Sequence, residues 1–142
     1  MPLMVDASYD ETPKSRFLAS LERCSAQDEF VPSFYRRFMS ASPDIERRFR
    51  YTSFEKQNRM LLRSLQLSAH AIDGDPEALA ELKLRSETHD RHHLNIKPEL
   101  YNLWLDSLVL SAAEFDEHWS AEVDEAWRTV LGFVIRRMIS SY

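Results

Sequence analysis

A chain of 142 residues with 44% hydrophobic side chains has the length and apolar content for one domain around one sizeable core. Only two glycines, Gly74 and Gly132, argue against a turn-rich all-β fold and against a glycine loop that cradles phosphate. A net charge of −5, from 18 basic and 23 acidic side chains, gives no support for binding nucleic acid or an anionic membrane.

Residues 1–14 read as an N-terminal arm leading into the first helix. Thr12-Pro13 is a start signal, a capping hydroxyl followed by a proline whose missing amide costs nothing there. Phe17, Leu18 and Leu21 give that helix an apolar face. Ser25 to Gln27 breaks it, and a second helix runs from about Asp28 to Ser40, with Phe30, Phe34 and Phe38 inward and Tyr35 beside them. Ser42-Pro43-Asp44 starts a short third helix ending near Phe49, and Arg50 to Ser53 connects. A fourth helix from Phe54 to about Ile72 repeats Met60, Leu61, Leu65, Leu67 and Ser68 at helical spacing. Asp73-Gly74-Asp75-Pro76 is the clearest loop: a glycine stop, an aspartate cap and a first-turn proline.

From Glu77 to His93 the stripe Leu79, Leu82, Ser86, His89, His93 falls at spacings of three and four. Helix resumes after Pro98 with Tyr101, Leu105, Leu108, Ala112 and Phe115 on one face. Asp116 to Ser120 is a turn, and a last helix, about Ala121 to Ser140, carries Val123, Trp127, Val130, Val134 and Met138 inward. The expectation is an all-α fold of about seven helices without strands, repeats or low-complexity tracts. Cys24 is the sole cysteine, so no internal disulfide forms. No apolar run approaches the roughly 18 residues of a membrane span. The N-terminus lacks the basic-then-apolar order of a signal peptide. A cytoplasmic location is therefore expected.

Three groupings carry potential chemistry. His89, His92 and His93 cluster at the end of the fifth helix, and neutral imidazole is a good ligand for iron, zinc or copper. Zinc is disfavoured: HDRHH is not HExxH, and Cys24 has no partner thiol. The plainer reading of a histidine on an apolar stripe is a packed, hydrogen-bonded side chain. Tyr35 and Gln57 are polar groups beside apolar stripes on two helices, placed either to donate to a bound polar ligand or simply to sit at the core edge. Tyr101 and Glu122 form the third: a buried carboxylate needs a partner, which a phenol or an imidazole N–H would provide; alternatively Glu122 caps the last helix. No nucleophile–histidine–acid order and no paired-carboxylate site stands out.

Taken in order, these groupings resemble the bacterial single-domain globins, in particular the haem domain of flavohaemoglobins. FYRRFMSASPDIERRF, Phe34 to Phe49, is similar to the family's FY…P…F run. QNRML, Gln57 to Leu61, resembles the start of the distal helix. IKPELY, Ile96 to Tyr101, resembles the turn after the proximal histidine, and EVDEAW, Glu122 to Trp127, the start of the last helix. The resemblance covers residues 15 to 140. Two positions depart from it. The Phe49 to Gln57 connection is about two residues shorter, and the place seven residues before Pro98, where the family usually has histidine, is Arg91.

The resemblance implies a globin domain over residues 15–142 that binds haem b, with its iron held by His89; His93 and His92 are the alternatives. It implies Tyr35 and Gln57 as distal polar residues, and Phe49, Leu61, Ile96 and Leu108 as haem-packing residues. Tyr101 and Glu122 would hold the proximal histidine. The implied function is binding of dioxygen, nitric oxide or carbon monoxide, with nitric oxide dioxygenase or peroxidase-like turnover requiring an external electron donor, in a monomer or homodimer. The alternative is a globin-fold sensor or interaction module acting through a partner, with or without haem.

Overall fold

A computed structural model of the chain describes residues 12–89 and 94–140. Among them, seven helices and no strand are found: α1 Pro13–Ser25, α2 Phe30–Ala41, α3 Pro43–Arg48, α4 Phe54–Ala71, α5 Pro76–His89, α6 Pro98–Phe115 and α7 Ala121–Ser140. The starts follow from local chemistry. Thr12 and Ser15 form a reciprocal capping box ahead of Pro13. The Ser42 hydroxyl accepts from the Asp44 amide ahead of α3, and Asp75 accepts from the Glu77 amide at the start of α5. Gly74, at φ +82, supplies the left-handed turn between α4 and α5.

Two apolar cores result. In the larger, α1 packs against α7 and α2 against α6. Trp127 sits fully buried at its centre, edge-on to Phe17 at 4.8 Å between ring centres. Burial of a side chain that size, roughly 200 Å² at about 25 cal/mol per Å², contributes on the order of 5 kcal/mol. The smaller core joins Leu67, Ala71, Ala78, Leu82 and Val134. It seats α5, whose main packing is against α4 and α7 alone.

A polar knot ties the larger core together at one end. The Trp127 Nε1–H donates to Ser20 Oγ at 2.9 Å, and Ser20 donates to Asp116 Oδ2 at 2.6 Å. Arg23 grips both Asp116 oxygens, and the His118 amide donates to Oδ1. The turn read at Asp116 to Ser120 is present, but the Asp116 side chain that opens it is 0% exposed. Met60, read as part of the apolar repeat of α4, is 40% exposed.

Candidate functional site

Members of both cores line one cavity of about 560 Å³, within the range of small-molecule and cofactor sites. One wall comes from α2 and α4. The Tyr35 ring is buried edge-on against Phe34, Phe49 and Phe54, with centres 4.8, 5.5 and 5.3 Å away. Its hydroxyl donates to the Gln57 carbonyl at 3.4 Å, a long hydrogen bond. Burial pushes the phenol up to about 12, so it stays a protonated donor at neutral pH. Gln57 and Leu61 are four residues apart and share one face of α4.

The opposite wall is α5. Leu82, Arg85 and His89, at spacings of three and four, all line the cavity. His89 is half-buried at the C-terminus of the helix, with Nδ1 3.4 Å from the Tyr101 hydroxyl. Burial first, and then the charge of Arg85, hold its pKa below the ordinary histidine value, which favours the neutral, metal-ligating imidazole. Tyr101 is pushed up to about 12 by burial. Trp104, one turn on from Tyr101, and Val134, Ile135 and Met138 of α7 complete the walls.

Seven residues singled out in the sequence thus meet around one space: Tyr35, Phe49, Gln57, Leu61, His89, Ile96 and Tyr101. Two do not reach it. Leu108 is fully buried in the larger core; it lies four residues past Trp104, about 6 Å further along the helix axis and beyond the cavity wall. Glu122 is also away from the cavity. It is exposed in the first turn of α7, whereas α7 meets the cavity through Val134, twelve residues and roughly 18 Å further on. The Glu122 carboxylate is held below its usual pKa by its own amide, by Ser120 and by the charge of Arg16, as suits a group capping the last helix. Of the two partners expected for His89, only Tyr101 reaches the ring. His92 and His93 lie outside the described residues.

Among the cavity residues that escaped the sequence reading are two arginines. Arg48 and Arg85 both read as charges on solvated flanks, yet both line the cavity. The spacing Arg85 to His89 was a usable signal, because i and i+4 share a face. Arg85 carries a further mark: its Nε is buried without a hydrogen-bond partner, as is Ser86 Oγ beside it. Among the described residues no group of three or more His, Cys, Asp or Glu converges to hold a metal ion.

Seven helices among the described residues, six of them lining an apolar cavity with a neutral histidine on one wall and a protonated tyrosine on the other, define a globin-type architecture. The globin family profile matches residues 32–138, and the chain belongs to the globin family. A solved structure from Pseudomonas aeruginosa PAO1, described as structurally highly homologous to a human hemoglobin, is similar with a TM-score of 0.88 and 34% identity, over 92% of this chain and 98% of that one. No curated protein matches the chain at a significant level. No helix among the described residues is long and apolar enough to cross a membrane.

Proposed function

We propose that the cavity holds haem b and that the protein binds a diatomic gas there. The observation that carries this reading is the donor set. One neutral imidazole faces an apolar cavity with no second His, Cys or carboxylate beside it among the described residues. A lone imidazole is a poor site for a bare metal ion, which needs several protein ligands, but it suits a metal already ringed by four donors. Membership of the globin family supports the same reading.

Haem iron, when bound, supplies reversible binding of dioxygen, nitric oxide or carbon monoxide. The chain's own residues do the rest. The His89 Nδ1 lies 3.4 Å from the Tyr101 hydroxyl, a contact that restrains the ring's orientation. Tyr35 offers a protonated hydroxyl and Gln57 an amide on the opposite wall, donors that favour a ligand bearing partial negative charge. Phe49, Leu61 and Ile96 keep water from the cavity. Any nitric oxide dioxygenase or peroxidase-like turnover would draw electrons from an external donor.

The test is an absorption spectrum of the purified, haem-reconstituted protein, ferric and then reduced, with and without carbon monoxide, for the wild type and His89→Ala. A strong Soret band that shifts with carbon monoxide and is altered or lost in the variant is the expected outcome. A chain that takes up no haem refutes the proposal. A band indifferent to the substitution moves the ligand to His93 or His92.

A further inference from the structure

Arg48, the last residue of α3, makes three hydrogen bonds with one guanidinium. Its Nε donates to Asp44 Oδ2 at 3.0 Å, one turn back on its own helix. Its Nη1 donates to the Leu94 carbonyl at 2.9 Å, and its Nη2 to the Asn95 carbonyl at 3.1 Å. The second and third bonds cross to the segment that leads from α5 to α6. Asn95 there has φ +52, a backbone conformation that L side chains rarely adopt, and the sharp turn brings two successive carbonyls to one planar fork.

The same short segment closes back on α5. The Leu94 amide donates to the Thr88 carbonyl at 3.1 Å, and the Ile96 amide to the His89 carbonyl at 3.0 Å. These occupy two carbonyls of the last helical turn, groups that have no partner within a helix. A continuous series of hydrogen bonds therefore runs from Asp44 through Arg48 and the Asn95–Ile96 peptide to the His89 carbonyl. Phe49, adjacent to Arg48 in the chain, packs on Tyr35 at the other wall of the cavity.

We infer that Arg48 is a positioning residue for His89: a strut that spans from the α3 end to the loop behind α5 and braces the last described turn of the histidine's helix. The strut stands on geometry alone; its effect on a metal ligand rests on the haem reading. A guanidinium suits this because its fork reaches two carbonyls at once while Asp44 fixes the third edge. A lysine would supply the charge without the fork. The arrangement links the Tyr35 and Phe49 wall to the His89 wall through polar bonds rather than through the cavity's contents.

The experiment compares wild type with Arg48→Gln, Arg48→Lys, Asp44→Asn and, as a control, Arg50→Gln, whose native side chain pairs with Glu46 on the same turn. Amide hydrogen exchange at Leu94 and Ile96 is followed by NMR on the purified chain before haem is added. The iron–imidazole stretching band is then read by resonance Raman spectroscopy on the reduced, haem-loaded protein. Exchange at both amides is expected to rise about 10-fold or more in Arg48→Gln, by less in Asp44→Asn and Arg48→Lys, and not at all in Arg50→Gln. The stretching band is expected to move in Arg48→Gln and Asp44→Asn. Unchanged exchange in both of those variants overturns the strut. Faster exchange with an unmoved band overturns its transmission to His89. A chain without haem uptake defeats the haem reading instead, and the exchange data still decide the strut.

Discussion

Deleting one oxygen atom separates the structural from the functional role of Tyr35. In Tyr35→Phe the ring keeps its edge contacts with Phe34, Phe49 and Phe54. What goes is a single bond to the Gln57 carbonyl, 3.4 Å long. That carbonyl lies inside α4, where the amide four residues on is its ordinary partner. The stability cost is accordingly below about 1 kcal/mol, or a few degrees in Tm for a domain of this size. Ligand release should respond very differently. A hydrogen bond to a partly charged acceptor in a water-poor cavity is worth about 1.5–3 kcal/mol. At about 1.4 kcal/mol per tenfold, dioxygen should leave the haem-loaded variant roughly 10- to 150-fold faster. Carbon monoxide is less polar, so its release should change only slightly. Stopped-flow displacement of dioxygen by excess carbon monoxide measures the rate, alongside a thermal melt of the same preparation. A dioxygen release rate within twofold of wild type, in a protein that melts normally, would refute the assignment of Tyr35 as a donor to the ligand.

Three further outcomes follow from the geometry. Asp116→Asn should destabilise the protein by about 2–4 kcal/mol at pH 7, because Arg23 and Ser20 lose a buried charged acceptor. Burial works to raise the Asp116 pKa, but the hydrogen bonds from Arg23, Ser20 and the His118 amide, with the charge of Arg23, outweigh it and hold the group below its ordinary value. Its contribution is therefore complete above the ordinary carboxylate range near about 4 and is lost as pH falls through the lower folded value. Urea titrations should show the gap between wild type and variant narrowing in acid; a gap that widens contradicts the sign. Glu122→Gln should leave the Soret and carbon monoxide spectra of the haem-loaded protein unchanged, since the side chain is exposed and remote from the cavity; a spectral shift would return Glu122 to the site. Gly74→Ala should cost about 1 kcal/mol in a denaturant melt, all of it from the backbone at φ +82, because an added Cβ meets no atom within 4 Å. Gly74→Asn should recover part of that loss.

The helix starts were legible because each is written in two or three adjacent residues, such as Thr12-Pro13, Ser42-Pro43 and Asp75-Pro76. Spacing put Tyr35, Gln57 and His89 on or beside apolar helical stripes, but it was the resemblance to the globins that gathered them with Leu61 around one pocket. Distance along a helix was harder to read. Leu108 was taken from an apolar stripe and Glu122 from a motif, and neither reports where on its helix the cavity begins. The burial of Asp116 was not legible at all. It depends on Ser20 and Arg23, 96 and 93 positions away in the chain, and nothing in the local run from Asp116 to Ser120 distinguishes a solvated turn from one that receives them. Arg48 and Arg85 were hidden by composition, because charged residues are common on flanks and a guanidinium that grips carbonyls or borders a cavity has the same letter.

The helix bearing His89 rests mainly on two neighbours and on a small core of its own. A wall seated so lightly separates at a lower free energy than walls clamped by the large core. Filling the cavity with something wider than its mouth then depends on how often α5 swings away. The uptake rate should climb with concentration and then level off at the opening frequency of that helix, making the smaller core, rather than the chemistry of the lining, the gatekeeper of loading.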